Sequence, residues 1–178
     1  MSDRNTQKPL PKPLNGERLR SLALHYVGRY ATTRGKLTTY LNRKIRERGW
    51  NGDASADIES LVNEFADLGY VNDAGFAEAR SRSFVRRGFG ARRLAQDLST
   101  AGIADADSFE AMETAKDGAW SAAENFARRK HIGPFAKGEA TLELKQKQLQ
   151  GFMRAGHAWD IARAFVNAAP GEILEELE

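Results

Sequence analysis

The chain has 178 residues, 41% of them apolar, with nine Phe, three Trp, four Tyr and no Cys. That content supports one full core or a short array of small units, and the missing Cys excludes disulfide frameworks, thiolate metal sites and cysteine catalysis. The 27 Lys and Arg against 24 Asp and Glu leave a net charge of only +3, which excludes a strongly basic tail protein. No run of more than three apolar residues offers a membrane span or a signal core, so a cytoplasmic protein is expected.

Residues 1–16 hold three of the five prolines and no apolar periodicity, which predicts a flexible leader. Helical spacing then begins: Leu19, Leu22, Ala23, Tyr26, Val27 and Tyr30 fall on one stripe. Thr33 is a good N-cap for a second helix carrying Leu37, Leu41 and Ile45, which Gly49 stops. Asp53 or Ser55 can cap a third, whose stripe is Ile58, Leu61, Val62, Phe65 and Leu68 before Gly69.

The same phrase returns from Asp73 and Phe76 through Leu94 and Leu98 to Gly102, restarting at Asp105 or Asp107, where Asp107 and Glu110 have capping-box spacing. A fainter third copy predicts helices from about Trp120 to Arg129, Glu139 to Ala155 and Trp159 to Asn167, with an irregular connector over His131 to Gly138. The glycines closing the middle helices, Gly49, Gly102 and Gly156, are spaced by 53 and 54 residues.

Charge follows the same period. Residues 17–49 sum to +7, 50–79 to −7, 80–96 to +6, 97–117 to −5, 118–154 to +4 and 155–178 to −4. The small net charge therefore hides strong local fields. We expect an all-α protein of three tandem three-helix repeats in an elongated, curved array, with repeats at 17–70, 71–117 and 118–170 and an acidic end at 171–178. No sustained period-2 alternation predicts a strand.

Candidate chemistry is sparse. Gly88-Phe89-Gly90 lacks both a preceding strand and the third glycine of a dinucleotide fingerprint, since Arg93 stands at that place, so it reads as a turn between helices. His25, His131 and His157 are too scattered for a metal site and read as surface or hydrogen-bonded residues. No nucleophile with an oriented base is visible, and neither an enzyme nor a metal or cofactor is expected.

The basic blocks are more informative. Arg80, Arg82, Arg86, Arg87, Arg92 and Arg93 crowd the second repeat, and Arg92 and Arg93 fall in the first turn of a helix, where the macrodipole disfavours cations. In the first repeat Lys36, Arg43, Lys44, Arg46 and Arg48 crowd one helix. Such clusters fit direct binding to nucleic-acid phosphates or docking on a protein assembly with complementary charge; the near-balanced net charge favours docking.

The strings Leu68-Gly69-Tyr70-Val71-Asn72-Asp73, Phe76-Ala77, Gly88-Phe89-Gly90-Ala91-Arg92-Arg93-Leu94 and Leu98 to Gly102-Ile103 resemble the RecX family of regulatory proteins, over roughly residues 17–168. Where that family commonly opens the second helix of its first repeat with Ser and then Glu, this chain has Thr33 and Lys36, which keeps the cap but cannot complete a capping box. The resemblance implies a non-enzymatic modulator of the RecA recombinase, and a monomer is expected. It would lie in the groove of the RecA filament on single-stranded DNA and restrain strand exchange, recombination and the SOS response, through basic faces at Arg80, Arg82, Arg86, Arg87, Arg92, Arg93, Lys36, Arg43 and Lys44. The alternative is a stand-alone helical module that binds DNA directly through phosphate contacts.

Overall fold

The computed structural model describes residues 12–176. Among these residues every regular element is helical, apart from a single parallel bridge between Leu14 and Trp50. The chain divides between Asn72 and Asp73 into two compact units.

The first unit holds α1 (Gly16–Val27), α2 (Arg34–Arg48) and α3 (Ile58–Asp67). Their starts are set by side chains that satisfy otherwise orphaned amides. Asn15 accepts from the Arg18 amide at 3.1 Å, Thr33 from the Lys36 amide at 3.1 Å and Asp57 from the Ser60 amide at 3.0 Å. The α3 cap is therefore Asp57 rather than Asp53 or Ser55. Those two lie in the preceding loop, which the Trp50 indole closes by donating to the Ala54 carbonyl at 2.6 Å. Gly49, at φ +79°, ends α2 as expected.

The core of this unit is Leu14, Leu19, Ala23, Leu37, Leu41, Val62, Phe65 and Val71. Two stripe residues do not join it: Tyr30 lies beyond the end of α1 and Leu68 is the C-cap of α3, and both are more than half exposed. Residues 1–11 of the expected leader lie outside the described residues. Its last part is structured: Leu14 is fully buried, donates to the Gly49 carbonyl at 2.9 Å and accepts from the Asn51 amide at 2.7 Å. Burying that one Leu among polar neighbours ties down a segment whose prolines mask the signal.

The second unit holds α4 (Asp73–Arg86), α5 (Ala91–Thr100), α6 (Asp105–Asp117), α7 (Ala119–Lys130), a 3₁₀ turn (Gly133–Phe135), α8 (Leu142–Ala155) and α9 (Trp159–Asn167). Helices α4 to α6 enclose Ala77, Phe84, Leu94, Leu98, Ala101, Ile103, Ala111 and Ala115. A second cluster, Ala123, Phe126, Ala127, Ile132, Phe152, Ala155, Ala162, Phe165 and Val166, lies among α7 to α9. Phe89 packs against both clusters.

Two expected details of this unit differ. The Asp107–Glu110 capping box does not start α6, because Ala104 is its N-cap and Asp105 and Asp107 lie in its first turn, where they oppose the positive helix end. Helix α8 starts at Leu142 after the Thr141 cap, later than Glu139. The acidic end is partly docked: the Gly171 amide donates to the Pro134 carbonyl at 2.9 Å, the Glu172 carboxylate accepts from the Ala169 amide at 2.6 Å, and Leu174 packs on the α7–α9 core.

Candidate functional site

The Gly88-Phe89-Gly90 turn, where α4 gives way to α5, is the place where the two helical groups of the second unit interlock. The Gly90 amide donates to the Ala155 carbonyl at 2.9 Å and the Arg92 amide to the Gly156 carbonyl at 3.2 Å. A β-carbon on Gly90 would collide with the Gly156 carbonyl, and Gly156, at φ +89°, would carry one into Arg93. His157, 2% exposed, donates its Nε2 hydrogen to the Gly88 carbonyl at 3.2 Å. Burial, with Arg129 nearby, lowers its pKa to about 4 against the weaker pull of that hydrogen bond, so it is neutral at pH 7. It is thus the hydrogen-bonded histidine the sequence allowed, and no metal-binding cluster is present among the described residues.

Around this turn the cations sort into two groups. Arg80 donates to both oxygens of Asp97, at 2.6 and 3.1 Å, and stands 5.5 Å from the Phe84 ring centroid, so it straps α4 to α5. Its hydrogen bond to Asp97 raises its pKa further. Arg82 faces Glu78 one turn back at 3.4 Å. Arg86, Arg87, Arg92 and Arg93 are exposed and have no carboxylate partner among the described residues.

Arg87 lies 5.1 Å from the Phe89 centroid and Arg129, at the end of α7, lies 5.8 Å from the same ring while donating to the Arg87 carbonyl. Two guanidinium groups are thereby held at one aromatic ring with no carboxylate partner among the described residues. Arg129 is not among the basic residues that sequence spacing singles out. Its signal, the Arg128-Arg129-Lys130 run closing α7, is also what the helix dipole asks for, and only the folded chain brings it to Phe89.

In the first unit, Arg43 and Lys44 share one carboxylate, Glu47, at 3.6 and 2.6 Å, and both stand near the Tyr40 ring, at 5.7 and 5.8 Å. Hydrogen bonding to Lys44 holds the Glu47 pKa down. Lys36 is half-buried beside the Thr33 cap. Arg48 is used internally, donating to the Lys12 carbonyl at 2.9 and 3.1 Å, while Arg46 is exposed and has no ion pair among the described residues.

Residues 72–112, which contain the interlocking turn, match the family model described as RecX, second three-helix domain. The chain is 31% identical over 175 residues to the regulatory protein RecX of Myxococcus xanthus, covering 90% of both. It belongs to the RecX family. The RecX protein of Agrobacterium fabrum is 30% identical over 162 residues, covering 89% of this chain and 86% of its own. The crystal structure of RecX from Lactobacillus salivarius superimposes with a TM-score of 0.59 at 21% identity, over 84% of this chain and 93% of that one, which shows the shared fold. Arg86, Arg87, Arg92 and Arg93, which lack carboxylate partners among the described residues, thus lie within the part of this RecX chain that the family model matches, and Arg129 lies beyond it.

Proposed function

We propose that this RecX-family chain acts by binding rather than catalysis: it docks on the RecA recombinase and on its filament assembled on single-stranded DNA, in the cytoplasm, and modulates recombination, strand exchange and the SOS response. One observation carries this reading. Within the family-matched second repeat, Arg86, Arg87, Arg92 and Arg93 lack carboxylate partners among the described residues, whereas Arg80 and Arg82 have them. Uncompensated arginine with its planar fork suits carboxylate or phosphate on a partner, and several such contacts along a polymer add by multivalency.

The test compares binding to a labelled single-stranded oligonucleotide, bare and RecA-coated with a non-hydrolysable nucleotide, near physiological salt. Binding to the coated strand is expected, and the double charge reversal Arg86→Glu with Arg87→Glu should weaken it by about tenfold or more, since each charge-assisted contact is worth about 1.5–3 kcal/mol. Equal affinity for coated and bare strands would favour the stand-alone nucleic-acid module, and coated-strand binding unmoved by the reversal would remove this face from the interface.

A further inference from the structure

The first unit carries a row of three tyrosines, one of which its core does not account for. Tyr26 from α1 stacks on Tyr40 from α2, with centroids 4.1 Å apart and planes 15° from parallel. Tyr30 lies against Tyr26, with centroids 5.4 Å apart and planes tilted by 51°. Tyr26 and Tyr40 pack against the apolar core, as half-buried aromatics normally do. Tyr30 is different: it lies beyond α1, stays 55% exposed and is absent from the core cluster, yet the Tyr30 amide holds it in place by donating to the Tyr26 carbonyl at 3.0 Å.

Positive charge accompanies the tyrosines at Tyr40 and, in sequence, at Tyr30. Arg43 and Lys44 stand near Tyr40 and share Glu47 as their one carboxylate partner among the described residues. Arg29 precedes Tyr30, is exposed and has no ion pair among the described residues. Across residues 17–49 the only carboxylates are Glu17 and Glu47, and the stretch sums to +7. An acidic peptide would use the cations and leave the exposed ring idle. A single nucleic-acid strand uses both, because every base has a face to stack and every linkage a phosphate to neutralise.

We propose that Tyr30, backed by Tyr26, is a stacking platform for a base of single-stranded nucleic acid, with the neighbouring Arg29 taking a flanking phosphate. This site belongs to the first unit and does not rest on the RecA reading. The test uses the full chain without RecA and a labelled oligothymidylate, read by fluorescence anisotropy across a salt series. Stacking on an aromatic is worth about 1–3 kcal/mol per base, so Tyr30→Ala should weaken binding by about tenfold while Tyr30→Phe stays within about twofold of the parent. Arg29→Ala should make the slope of log affinity against log salt shallower by about 0.7. An abasic strand of equal length should bind the parent as weakly as oligothymidylate binds Tyr30→Ala.

Circular dichroism should show all the variants equally helical. Oligothymidylate binding that ignores Tyr30→Ala, or abasic binding equal to oligothymidylate binding, overturns the platform. No binding of the bare strand, with polyglutamate bound instead, overturns it in favour of an acidic protein partner. A failure here leaves the RecA-coated experiment standing, because that one reads Arg86 and Arg87 of the other unit.

Discussion

Arg80 and Arg86 both belong to α4, yet only Arg80 meets a carboxylate on a neighbouring helix, with two hydrogen bonds to Asp97. A half-exposed bidentate pair of this kind contributes about 1 kcal/mol. Arg80→Ala should therefore lower the denaturant midpoint of the second unit by about that amount of stability, whereas Arg86→Ala should leave it within about 0.5 kcal/mol. Loss of binding in Arg80→Ala without loss of stability would return Arg80 to the interface. His157 contributes differently. Its pKa falls from 6.5 to about 4 on folding, so between those pH values the unfolded chain holds a proton that the folded chain lacks. Stability is then fully present above pH 6.5 and falls as pH drops toward 4, by about 1.4 kcal/mol per unit. His157→Gln, whose amide can still donate to the Gly88 carbonyl, should flatten that part of the stability curve; an unchanged slope would assign the titration to other groups.

Helix α5 has no side-chain cap; instead the amides of its N-cap Gly90 and of Arg92 donate to the carbonyls of Ala155 and Gly156. Gly90→Ala forces a methyl into that carbonyl and should cost about 2–4 kcal/mol, combining overpacking with loss of the cap, measurable as a lowered thermal midpoint. Unchanged stability would mean the turn can move aside freely. Most helix ends were legible because Thr33, Gly49, Gly102 and Gly156 combine local cap chemistry with an apolar stripe. The start of α3 was not, since Asp53, Ser55 and Asp57 are chemically equivalent caps and the choice is made by the Trp50 indole reaching Ala54. The stripe likewise extended to Tyr30 because periodicity continues past the point where α1 ends.

At the scale of the molecule, alternating charge blocks place strong fields on a chain of net charge +3, and binding through them should weaken with salt. Counting charges located those blocks but could not separate Arg80, whose partner Asp97 lies on another helix, from Arg87, whose neighbour Arg129 comes from the following repeat. Pairing is a long-range property, and sequence spacing reports only neighbours on the same helix. The carbonyls that cap α5 also impose an order on folding. As the chain emerges from the ribosome, α4 to α6 are complete long before Gly156 appears, so the start of α5 must wait in water for a cap that the nascent protein has not yet made.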